Sequence, residues 1–186
     1  MSTGAIIAVI VAAVILVALG WFLWTQSRRR RLRDRFGPEY ERAVESGGST
    51  RAGERELMER EKRHSDFEIT SLAPAERDRY ARQWQVIQER FVDQPGTAVA
   101  EADRLVTVVM GERGYPTEGY EQQVSDLSVR HSSTLDHYRV AHDIKHRNDD
   151  SEASTEELRE AMIHYRSLFD DLLDSNMDTR AKRGES

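Results

Sequence analysis

No cysteine occurs among the 186 residues, which excludes disulfides, thiolate nucleophiles and Cys-based zinc sites. Proline is confined to four positions, and each sits where a helix would start or stop. Also missing are a phosphate loop, a dinucleotide fingerprint, a nucleophile elbow and a helical zinc-protease motif, so no common catalytic signature is present. No internal repeat is apparent. The most telling absence is local: from Ala5 to Trp24, AIIAVIVAAVILVALGWFLW, no charged or strongly polar side chain interrupts the chain.

That stretch reads as a membrane-spanning helix. At about 1.5 Å rise per residue it covers roughly 30 Å, the thickness of a bilayer's hydrocarbon core. Its Ile, Val, Leu and Phe residues together favour insertion by an upper bound of roughly 4 to 7 kcal/mol. A cleavable signal peptide is the rival reading. However, the Met-Ser-Thr-Gly start has no basic residue, the apolar run exceeds the roughly 7 to 15 residues of a signal core, and no small-residue cleavage site follows. Instead come Trp21 and Trp24, suited to the headgroup level, and then Arg28, Arg29, Arg30 and Arg31 with Arg33 and Arg35 close behind. A basic cluster beside a span stays in the cytoplasm. The expected topology is therefore an uncleaved single-pass anchor in the cell membrane, N-terminus outside and the rest cytoplasmic, with the bilayer met by residues 5–24 and its surface by Trp21, Trp24, Arg28, Arg29, Arg30 and Arg31. The expected divisions are an anchor at 1–27, a basic juxtamembrane segment at 28–35, a helical soluble domain at 36–174 and a disordered tail at 175–186.

Charge is unevenly spread. Net charge is −6 overall; six Arg against one Asp give Arg28–Arg35 a charge of +5, so the remainder carries −11. The basic segment suits anionic lipid, either as a topology signal alone or through specific lipid recognition. The acidic remainder repels nucleic acid, whose binding rests on phosphate neutralisation. Charged residues make up 32% of the chain against about 25% in typical domains, which favours long solvated helical faces over a sheet.

The pattern beyond the anchor is helical throughout. Gly37 and Pro38 form a break and a helix start, and Gly47 with Gly48 a turn. Arg51 to Arg63 alternates in charge around Leu57 and Met58, a solvated helix with a narrow apolar stripe. Phe67, Ile69 and Leu72 lie in an extended connector. Tyr80, Trp84, Ile87 and Phe91 recur at helical spacing over Pro74–Asp93. Pro95 and Gly96 then break the helix, and Thr97 is expected to cap the next, which runs to Arg113 with Ala98, Ala102, Leu105, Val106 and Val109 on its inner face. Tyr120, Val124 and Leu127 mark a short helix. Ser133 with Asp136 has the spacing of a capping box for a helix over Thr134–Arg147, and Ser154 with Glu157 for one over Thr155–Asp174.

Phe36-Gly37-Pro38-Glu39-Tyr40, Trp84 with Gln88 and Phe91-Val92-Asp93-x-Pro95, Ala102-Asp103-Arg104-Leu105-Val106 and Arg113-Gly114-Tyr115-Pro116 make a distinctive set. So do Leu127-Ser128-Val129-x-His131, Tyr138-Arg139-x-Ala141-His142-x-Ile144 and Thr155-Glu156-x-Leu158-Arg159-x-Ala161-Met162-x-His164-Tyr165-Arg166-x-Leu168-Phe169. Together, over roughly residues 36–173, they resemble a bacterial family of uncharacterised membrane-anchored proteins. The resemblance implies a helical domain behind an N-terminal membrane segment. It supplies no activity, cofactor, partner or catalytic residue.

Histidine is the one enriched reactive residue, with His131, His137, His142, His146 and His164 close in sequence. His142 and His146, four apart on a helix, are the candidate metal pair, with His137, Asp149 or His164 as a third ligand. The competing reading packs His142 against Tyr138 and places His146 at the helix C-terminus, where the dipole favours it. Asp170-Asp171 and Glu156-Glu157 read as solvent-facing pairs, Trp84 with Gln85 and Gln88 as core in preference to pocket, and Arg113, Tyr115 and Arg139 as an anion rim or as salt bridges and helix-end contacts. The sequence thus points to an all-α protein, one transmembrane helix followed by a helical bundle. The expected role is a tethered interaction or scaffold module with a protein partner, no nucleic acid, no cofactor and no catalytic residues; the rival is a metal-dependent enzyme or sensor using His142 and His146.

Overall fold

The computed structural model describes the backbone of Thr3–Asp174 and the side chains from Ala12 to Asp174. Among the described residues every regular element is an α-helix: α1 (Thr3–Phe36), α2 (Pro38–Ser46), α3 (Thr50–Ser65), α4 (Pro74–Arg90), α5 (Pro95–Glu112), α6 (Tyr120–Leu127), α7 (Leu135–Asp149) and α8 (Thr155–Leu173). The all-α class expected from the charge pattern is what the chain adopts. The expected tail, Ser175–Ser186, lies outside the described residues.

Among the described residues no helix is long and apolar enough to cross a membrane. The side chains of Ala5–Val11, which open the expected span, fall outside the description. The described part of the run, Ala12–Trp24, is shorter than the roughly 20 residues a bilayer core demands.

The chain divides into two compact units within α3, one ending at Leu57 and the other beginning at Met58. In the first, α1 runs unbroken to Phe36, and Gly37 takes a left-handed φ of 49° so that Pro38 can open α2 at its first position. Leu32, Phe36, Tyr40, Ala43 and Leu57 are buried. Close approach of α2 and α3 requires a glycine at position 53, because a Cβ there would lie 2.6 Å from the Ala43 carbonyl oxygen. Tyr40 donates to Glu54 at 3.0 Å and Arg29 pairs with the same carboxylate at 3.1 Å.

The second unit is a helical bundle centred on α5, which packs against α4, α7 and α8, while α7 and α8 pack on each other and α6 rests on α7. The apolar faces expected on α4, α5 and α8 form its core: Trp84 is 1% exposed and stacks on Phe169 with ring centroids 4.7 Å apart. The Ser154–Glu157 capping box is formed, each residue's side chain meeting the other's backbone N–H. The hydrogen bond from Arg147, then those from Ser154, hold the Glu157 carboxyl down to about 2. The segment between α3 and α4 has no regular structure after a turn at Asp66, and it buries Leu72 and rests Ile69 on the core.

Two expectations are corrected. Pro95 is the first residue of α5, not a break ahead of it, so Thr97 lies inside the helix and is not its cap; a proline in the first turn sacrifices no hydrogen bond because that N–H has no intrahelical partner. The Ser133–Asp136 capping box does not form. Thr134 holds the N-cap position in a helical conformation, its hydroxyl donating to the Asp171 carboxylate at 2.7 Å, and Asp136 pairs with Arg139 at 3.1 Å.

Truncating Trp84 to Ala should destabilise the second unit by about 3–5 kcal/mol, since the indole is fully buried and stacked on Phe169. Chemical denaturation followed by far-ultraviolet circular dichroism measures it; a loss below about 1 kcal/mol would show that the bundle does not depend on this ring.

Candidate functional site

Three places carry chemistry: the surface of α1, a buried polar network in the bundle, and the histidines of α7 and α8. On α1 the apolar side chains point outward on every side. Val14, Ile15, Leu16 and Val17 are consecutive and therefore cover the whole circumference, yet they are 59–73% exposed. Trp21 and Trp24 are 68% and 56% exposed, their rings 5.8 Å apart, and the Arg28 guanidinium lies 5.4 Å over the Trp24 ring. The arginines that follow split by direction. Arg29, Arg30 and Arg33 line a polar cleft of about 400 Å³ with Tyr40, Glu41 and Thr50.

The buried network centres on His131, which is 1% exposed. Its Nδ1 meets the Asp171 carboxylate at 2.8 Å and its Nε2 the Tyr115 hydroxyl at 3.1 Å. Thr134 donates to the same carboxylate oxygen. Arg113, equally buried, donates from its guanidinium to the backbone carbonyl of Leu172 at 2.8 Å and from Nε to that of Thr70 at 3.3 Å. Burial pushes the Asp171 carboxyl up, but the His131 and Thr134 hydrogen bonds and the charges of His131 and Arg113 outweigh it and leave the group below its ordinary value. An Asp–His–Tyr chain is the arrangement of a proton relay. Here its members tie together the end of α5, the start of α7 and the last turns of α8.

Of the two readings open for Arg113, Tyr115 and Arg139, the structure shows salt-bridge and helix-end contacts: Arg113 and Tyr115 are buried at the end of α5, and Arg139 pairs on α7 with Asp136. Asp170 and Asp171 are not an equivalent exposed pair: Asp170 binds Arg166 at 2.7 Å on the surface, and Asp171 turns inward. The helical period carried the signal, since Asp171 follows the buried Leu168 by three positions. Trp84 is core, as expected, whereas Gln88 edges a shallow groove of about 290 Å³ with Phe91, Met162 and Ile163, rimmed by Arg159 and Arg166.

The two candidate metal residues part company. His142 stacks on Tyr120 of α6, ring centroids 3.8 Å apart and nearly parallel at 15°, with Tyr138 at 6.1 Å. His146 is exposed and lies 3.7 Å from Asp150. Stacking from a neighbouring helix has turned His142 inward while His146 faces water. His137 and His164 do meet, Nδ1 to Nδ1 at 2.7 Å across α7 and α8, a separation that fits a shared hydrogen bond. Among the described residues no group of three His, Asp or Glu side chains converges to hold a metal ion. The chain matches no family model, no curated protein and no solved structure.

Replacing Asp171 by Asn should cost about 1–3 kcal/mol at neutral pH, because it leaves His131 and the nearby Arg113 charge without the anion they face. Since the folded carboxyl titrates below 3.8, its contribution is complete above that value and is lost as pH falls through the folded pKa; urea titrations at pH 7 and pH 3 should show the variant's deficit shrink in acid. An unchanged deficit at both would contradict the ion-pair account.

His142 gives a second pH test. Burial, assisted by Lys145 and His146 and opposed by Asp103 and Asp143, lowers its pKa below 6.5. The unfolded chain therefore takes up the proton first, and stability is complete above 6.5 and declines as pH drops towards the folded value. His142→Phe keeps a ring for Tyr120 and cannot be protonated, so its stability should vary less across that interval; curves that stay parallel to wild type would rule the explanation out.

Proposed function

We propose that this chain is a single-pass membrane protein whose helical part works in the cytoplasm as a tethered, non-enzymatic interaction or scaffold module. The observation that carries the reading is the ring of exposed apolar side chains on α1 between Val14 and Trp24. A helix apolar on all sides suits a protein core or a lipid interior, and these side chains have no core around them. Joined to Ala5–Val11 in the sequence, the run reaches the length of a bilayer span. Exposed Trp21 and Trp24 suit the headgroup level, and the arginines from Arg28 onward favour the cytoplasmic side. The resemblance of the motifs in 36–173 to membrane-anchored bacterial proteins points the same way.

A binding role is favoured over catalysis by the way the reactive side chains are used. His131 and Asp171 are spent on helix-end contacts, His137 and His164 on each other, His142 on a ring stack, and His146 on an exposed contact with Asp150. The acidic remainder of the chain favours a protein partner over nucleic acid.

The anchor can be tested by placing charge at its centre. Val14→Arg with Leu16→Arg should oppose insertion by roughly 5–7 kcal/mol, about the whole driving force. Wild type should remain in membranes after carbonate extraction and the double variant should be released. Release of the wild type would overturn the anchor. A reporter joined after Ser186 should be active in the cytoplasm, activity only outside reversing the orientation. Cross-linking of the full chain in its membrane should recover one specific protein, and recovery of none would end the partner half of the reading.

A further inference from the structure

The arginines after the span are not a uniform cloud of charge. Arg29 and Arg33 are one helical turn apart on α1 and Arg30 stands beside them, so the three share one side of the helix. The opposite wall of the cleft comes from α2, through Tyr40 and Glu41, and from Thr50 at the start of α3. Two of the three guanidinium groups are already oriented. Arg33 lies 4.9 Å over the Tyr40 ring and 3.1 Å from Glu41, and Arg29 is 3.1 Å from Glu54. Three arginines against two glutamates leave a positive excess, and Arg30 is the charge that no carboxylate in the cleft balances.

Position selects the ligand. Arg29 to Arg33 lie five to nine residues past Trp24, roughly 8–14 Å along the helix axis. With Trp24 at the headgroup level, that lies at or just beyond the outer edge of a headgroup layer about 5–8 Å thick, and long arginine side chains lean back along apolar surface to reach it. Guanidinium groups bind phosphate through paired N–H donors in one plane. We propose that this cleft binds the phosphate ester of an anionic phospholipid headgroup. The proposal rests on the membrane reading above and adds a built site to it: lipid is held by a pocket of α1, α2 and α3, not by diffuse attraction.

The test uses the full-length protein in mild detergent with an equimolar mixture of phosphatidylglycerol and phosphatidylcholine, retained lipid being counted by native mass spectrometry. Wild type should retain phosphatidylglycerol preferentially. Arg30→Gln should lower that preference about tenfold, the effect of one charge-assisted contact. Arg35→Gln removes the same charge from the other side of α1 and should leave it unchanged, while Glu41→Gln should strengthen it. Equal losses in the Arg30 and Arg35 variants would reduce the effect to net charge and overturn the pocket. Displacement of the lipid by millimolar glycerol 3-phosphate would transfer the site to a soluble phosphate ester and overturn the lipid assignment. A protein that resists carbonate extraction but retains both lipids equally refutes this proposal alone, whereas one that carbonate releases refutes the anchor.

Discussion

A guanidinium removed from water demands partners for its donors, and the bundle is arranged around one. Arg113 sits where α5 ends, and its partners come from far along the chain: the carbonyl of Thr70 in the connector between α3 and α4 and that of Leu172 in the last turn of α8. The Thr70 amide returns a hydrogen bond to the Arg113 carbonyl at 2.9 Å. Beside it Asp171 supplies the compensating charge while holding His131 and Thr134. One buried cation therefore determines where the connector crosses, where α5 stops and where the last turn of α8 lies. A buried charge is weak evidence for stability, yet it is demanding about geometry, because any arrangement that leaves it unpaired costs several kcal/mol.

The same demand explains Gly114. It follows Arg113 with φ of 92°, and a Cβ there would come within 2.5 Å of the Glu68 carbonyl oxygen. The motif Arg113-Gly114-Tyr115-Pro116 is thus a set of geometric requirements: a cation for the connector, a glycine for the close crossing and the left-handed turn, a tyrosine for His131, and a proline after the helix has ended.

What the sequence made legible is what local spacing records. The α4 face with Tyr80, Trp84 and Ile87, and the α8 face from Leu158 to Leu172 with its Ser154–Glu157 cap, are patterns of three and four residues and could be read directly. Partners 16 and 40 residues away could not: nothing in the spacing joins His131 to Tyr115 or to Asp171. Residue types also misled where two environments compete for one side chain. The cap expected of Ser133 with Asp136 fell to Thr134, whose hydroxyl Asp171 holds; His142 was offered its helical neighbour His146 and took the ring of Tyr120. The basic segment was visible as charge, but its division into a cleft face and an outer face needed α2 and α3.

The three tryptophans of the chain fall into two optical classes. Trp84 is sealed against Phe169, with an indole nitrogen that has no hydrogen-bond partner among the described residues. Trp21 and Trp24 are open to whatever surrounds α1. Emission from the first is expected to stay blue-shifted until the bundle melts, whereas emission from the other pair follows the polarity around the helix. The chain thus carries one intrinsic reporter of folding and another of environment, without any added label.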